Sequence, residues 1–193
     1  MVAQHKQAYT LDDLRAIETL PENVDKRFEL IEGSIQVVNP PKPKHAYTAD
    51  RFYVALDGFG QETQSGIAFS DSVGYDLPNG DSLIPDASFV SREQVWFPLP
   101  DDNFAFAPLV AVEVESPSNS TRELYDKAES FLECGTKIVW IAYIEKQIVD
   151  VCHRSPEGKL VVEKLGLNAT ISGEDVLPGF LLPVKDVFQP QES

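Results

Sequence analysis

Cysteine and positive charge are both scarce in this sequence. The two cysteines, Cys134 and Cys152, have neither CxxC nor zinc-ligand spacing, so a disulfide scaffold and a structural zinc module are excluded. A reducing cytoplasm with two free, packed thiols is the expectation. No run of about 18 apolar residues exists, so no membrane-spanning helix is expected. Met1 to Thr10 lacks the basic start and apolar stretch of a signal peptide. No internal repeat or low-complexity block stands out. Lys and Arg number 16 against 31 Asp and Glu, a formal net charge of −15. Such a surface repels a phosphate backbone at long range. Chemistry on nucleic acid would need bridging metal ions, a local basic patch or a partner; the plain alternative is that the acid keeps the protein soluble.

What is present is the balance of a globular domain. The chain has 193 residues, 42% apolar and 24% charged. Collagen, disorder and coiled coil do not fit that composition. At this length folding buries roughly 70% of the unfolded surface, so residues 1–193 are read as one domain.

The order of elements follows from caps, turns and periodicity. Thr10 is an N-cap with Asp12 and Asp13 in the first turn of a helix that Pro21 ends. Arg27 to Val38 reads as a hairpin around Glu32-Gly33. Pro40, Pro41 and Pro43 stiffen a connector to a helix over about 45–57. Residues 66–77 and Leu83 to Val90 read as strands, with Asn79-Gly80 as a turn. Residues 91–107 form an aromatic-rich excursion: a lid, a partner surface or, the reading preferred, a local mini-core. Then come a strand over 109–115, a helix over 121–134, a strand over 137–144 and a hairpin over 147–165. The tail reads as a loop-rich wrap with a frayed end. This order gives an α/β (α+β mixed) fold, a mixed β-sheet flanked by helices, with an N-terminal helix-hairpin-helix and a C-terminal hairpin.

Three local features carry chemistry. On the 109–115 strand, Glu113 and Glu115 share one face, opposite Val110, Val112 and Val114. Two carboxylates inside a sheet need a cation, and a divalent metal is the simplest one; a strand end reaching solvent is the alternative. On the next helix, Ser120 and Glu123 form a capping box and Gly135 closes the far end. Lys127 lies on its apolar stripe with Leu124, Ala128 and Phe131, so it must meet an acid or snorkel outward. The third feature is Pro85-Asp86 inside an apolar strand, where Asp is unusual. Together they supply metal ligands and a cation able to activate water and stabilise a pentacovalent phosphate.

Ile84-Pro85-Asp86, Val112 to Ser118, Asp126-Lys127, and Gly135 with Val139-Trp140-Ile141 together resemble the Uma2 family, abundant in cyanobacteria and formerly a domain of unknown function. Phe28 to Gly33 and His45 match its N-terminal pattern. The resemblance covers about residues 10–188 and implies a restriction-endonuclease-like core of the PD-(D/E)xK nuclease superfamily. It implies Asp86 and Glu113 as metal ligands, with the Val114 carbonyl as a third. The lysine expected two residues after Glu113 is replaced by Glu115, which some restriction enzymes share as a base or extra ligand. The family's lysine moved onto the following helix corresponds to Lys127. Glu29 resembles the superfamily's additional acid, and His45 a family histidine without an assigned role.

Two functions follow as expectations. The first is a Mg²⁺-dependent endonuclease, with Mn²⁺ as a substitute, acting on nucleic acid and by preference DNA, as a cytoplasmic homodimer free of membranes. The second is a catalytically inactive binding or scaffold module in which Lys127 and Glu113 form a structural ion pair. A two-carboxylate glycosidase has no substrate cleft in the sequence to support it.

Overall fold

The computed structural model describes residues 8–117 and 119–188. The expected frayed end at 189–193 and Ser118 of the acidic motif lie outside them. Thr10 caps α1 (Leu11–Glu18) through a capping box with Asp13. A 3-10 turn at Pro21–Asn23 leads into the hairpin β1 (Arg27–Ile31) and β2 (Ser34–Val38). Its turn residues Glu32 and Gly33 both have positive φ, 47° and 73°, the conformation of a type I′ hairpin.

The next helix, α2 (Pro43–Thr63), outruns the expected 45–57. Pro43 suits a first helical position, where no N–H is needed. Gly58 and Gly60 do not end it. A Cβ on Gly60 would stand 2.8 Å from the Gly66 carbonyl oxygen and 3.0 Å from the Phe89 ring, so this glycine lets the helix sit directly on the sheet.

The strand expected over 66–77 divides into β3 (Gly66–Ser70) and β4 (Tyr75–Asp76), and that over 83–90 into β5 (Ser82–Leu83) and β6 (Ala87–Ser91). The chain changes sheets at Ile84-Pro85-Asp86. There follow β7 (Val110–Val114), α3 (Thr121–Glu133), β8 (Ile138–Tyr143), β9 (Ile148–Arg154) and β10 (Leu160–Leu165). The tail holds a small hairpin, β11 (Thr170–Ser172) with β12 (Leu181–Pro183), where only loop was expected.

The main sheet has the order β10-β9-β8-β7-β6-β3, and β2-β1-β5-β4 forms a second sheet. Only β7 and β8 run parallel in the main sheet, joined by the α3 crossover. The faces of β7 divide as the alternation requires. Val110, Val112 and Val114 pack with Phe52 and Leu56 of α2 and with Trp140. Ala111 packs with Leu124, Ala128 and Phe131 of α3. Full burial of such side chains contributes roughly 1.5–3 kcal/mol each.

The 91–107 excursion is half mini-core. Phe104 is buried, stacks with Tyr75 and meets the Phe106 ring at a tilt, whereas Trp96 and Phe97 are exposed. Both cysteines are free. Among the described residues no helix is long and apolar enough to cross a membrane.

Candidate active site

The site forms where β1, the β5–β6 crossing, the end of β7 and the inner face of α3 converge. Asp86 sits just before β6. Its backbone N–H donates to the Val112 carbonyl at 2.9 Å, and its Oδ2 accepts the Val114 N–H at 2.7 Å. The carboxylate thus replaces the ladder partner that β6 stops supplying, which accounts for an aspartate in an apolar segment.

Glu113 faces α3, as the strand alternation predicts, and is 4% exposed. Lys127 meets it with Nζ 2.7 Å from Oε2. The same Nζ stands 3.0 Å from Glu29 Oε1 on β1, and that oxygen also accepts the Ile84 N–H at 2.8 Å. The hairpin therefore sends its one buried acid across to α3 while Phe28 and Leu30 pack with Leu14 of α1. His45, in the first turn of α2, reaches over the end of β7. Its Nε2 lies 3.1 Å from the Val114 carbonyl oxygen and 3.4 Å from Asp86 Oδ2.

Five expected side chains, Glu29, His45, Asp86, Glu113 and Lys127, therefore line one cleft of about 510 Å³, along with Val114. Glu115 does not join them. It follows β7, its N–H donates to the Ala142 carbonyl, and its carboxylate lies 4.0 Å from Lys146 Nζ.

The charges strain one another. Burial pushes the Glu113 carboxyl up to about 8, with Asp86 and Glu29 pushing the same way and Lys127 opposing. Burial also raises Asp86, against His45, Lys127 and the Val114 N–H. Burial disfavours the Lys127 charge, yet Glu113, Glu29 and Asp86 outweigh it and hold the ammonium protonated well past its ordinary range.

These residues fit a divalent cation. Glu113 Oε1 is buried and has no hydrogen-bond partner among the described residues. Two acids share one lysine and Asp86 adds a third carboxyl to the cleft, more acid than the lysine offsets and a place for a divalent ion. Among the described residues no three His, Cys, Asp or Glu side chains form a complete cage. Arg27 and Lys42 also line the cleft, and the sequence reading passed over both. Their signal was faint: cations at the ends of the hairpin and the proline connector of an acidic chain.

A family model matches residues 11–185, that of Uma2, described as "Putative restriction endonuclease". The chain belongs to the Uma2 family. No curated protein matches this Uma2 chain. Among solved structures it is similar to one described as a "putative nuclease belonging to DUF820" from Anabaena variabilis ATCC 29413. The two are 23% identical with a TM-score of 0.77, over 93% of this chain and 97% of that one. The likeness shows that this Uma2 chain and that protein share a fold.

Proposed function

We propose that this Uma2 chain is a single-domain, metal-dependent endonuclease that hydrolyses phosphodiester bonds, with DNA as substrate. The observation that carries the reading is the cleft in which Glu29 and Glu113 both meet Lys127, Asp86 stands beside His45, and Glu113 Oε1 is unpaired among the described residues. The family description supports hydrolysis of nucleic acid. Asp86, Glu113 Oε1 and the Val114 carbonyl would hold Mg²⁺ or Mn²⁺. A bound ion supplies an acidified water and neutralises the scissile phosphate. Lys127, held protonated, donates to and orients rather than deprotonates. Glu29 holds Lys127 and the Ile84 backbone in place. Arg27 and Lys42 offer phosphate contacts at the cleft wall, the local positive charge that a chain of −15 requires. Cutting both strands of a duplex with one such site calls for two copies, hence a homodimer.

A second reading, an inactive binding module, draws on the closure of Lys127 onto two acids, which a purely structural ion pair would also show. Calorimetry with Mn²⁺ on wild type, Asp86→Asn and Glu113→Gln separates them, followed by assays on DNA and RNA. Both variants keep shape, and asparagine can still accept the Val114 N–H. The endonuclease reading expects wild-type binding that both substitutions abolish, with metal-dependent cleavage. Binding without cleavage of any nucleic acid, or no binding, favours the module.

A further inference from the structure

The imidazole of His45 stands against two of the groups that the metal reading assigns to the ion. Nε2 stands 3.1 Å from the Val114 carbonyl oxygen and 3.4 Å from Asp86 Oδ2. A carbonyl only accepts, so Nε2 carries a hydrogen and its lone pair is not offered to a cation. A histidine that ligates metal through one nitrogen almost always donates the other to a carbonyl or carboxylate. Nδ1 of His45 is buried and has no partner. Ligation through Nε2, the nitrogen that faces these oxygens, would therefore lack that brace, and the orphaned nitrogen makes this seat costly. Pro43 and the first turn of α2 fix the backbone beneath it, and the side chain, 13% exposed, borders the cleft.

We infer that His45 is a displaceable occupant of the metal position: it closes Asp86 and the Val114 carbonyl in the metal-free protein and gives them up when a divalent ion binds. This inference rests on the metal-dependent reading above. Its effect is on affinity, since the ion must break the Nε2–H···O bond before it binds.

The test is Mn²⁺ calorimetry on full-length His45→Ala and His45→Gln beside wild type, Asp86→Asn and Glu113→Gln. Alanine should tighten binding about five- to tenfold, the value of one net hydrogen bond. Glutamine, whose amide N–H can replace Nε2–H, should return affinity toward wild type. Detectable binding only in the alanine variant would support the inference more strongly. Weaker binding in His45→Ala would make His45 a ligand and overturn it, as would unchanged binding. If wild type binds, Asp86→Asn and Glu113→Gln do not, and His45→Ala changes nothing, the inference falls while the metal reading stands. Absence of binding in wild type and His45→Ala alike removes both.

Discussion

Toward the β10 edge of the main sheet, Asp150 is fully buried and fully served. Tyr125 Oη donates to it, and Lys164 Nζ lies 2.8 and 2.9 Å from its two oxygens. At the end of β7, Glu29 and Glu113 share Lys127, Asp86 lies beside His45, and one Glu113 oxygen has no partner among the described residues. The first cluster pairs one acid with one lysine and leaves neither Asp150 oxygen without a donor. The second is over-supplied with acid and under-supplied with donors. Burial of charge is common to both, so burial does not mark a functional site; a buried carboxylate oxygen left without a donor sets the second apart.

The largest effect that sharpens this contrast comes from removing each lysine. Lys127→Ala strands several buried carboxylates and should cost about 3–5 kcal/mol in urea unfolding with chelator present. Saturating Mn²⁺ should recover part of that loss. Lys164→Ala should cost about 2 kcal/mol, the scale of a hydrogen bond to a charged group, with no recovery on adding metal. Equal recovery in both variants would dissolve the distinction.

A smaller effect lies in pH. The Glu113 carboxyl, raised to about 8 in the fold, binds its proton more tightly folded than unfolded. Its contribution to stability is therefore complete below about 4.5 and fades as pH rises through 8. Glu113→Gln removes that dependence. In metal-free buffer the variant should gain on wild type by about 1 kcal/mol per pH unit between pH 5 and 8. Denaturation at three pH values checks this, and a constant difference would mean that Lys127 keeps Glu113 ionised throughout.

The smallest effect is expected at Glu115. Glu115→Ala loses only a 4.0 Å approach to a half-exposed lysine. Stability should change by less than about 0.5 kcal/mol, and Mn²⁺ affinity by less than about twofold. A tenfold loss of affinity would bring this glutamate into the site.

Much of the fold was legible because its signals are local. The capping boxes at Thr10 and Ser120, the Glu32-Gly33 turn and the C′ glycine at Gly135 each bind residues close in sequence. Lys127 was readable as an inward cation from helical spacing, and Glu113 as its acid from strand alternation. Geometry could not supply Glu29 as the second partner, because β1 reaches α3 only through folding of the whole chain; the family pattern pointed to it. Nor could it anticipate His45 over Val114, two elements 69 positions apart. Pro85-Asp86 was read inside one apolar strand, whereas β5 and β6 belong to two sheets. The extent of α2 was hidden by Gly58 and Gly60, since helix propensity does not register how closely Gly60 approaches Gly66. Thr170–Ser172 was too short to read as a strand.

Residue 114 enters the cleft through its peptide groups alone: its N–H holds Asp86, its carbonyl meets His45, and its side chain belongs to the core beside α2. The codon at this position therefore governs packing and leaves the oxygen where it is. Variation at 114 can drift among apolar residues without altering what the cleft presents. Chemical synthesis, exchanging the amide for an ester, is the route by which that one position could be edited without disturbing its side chain.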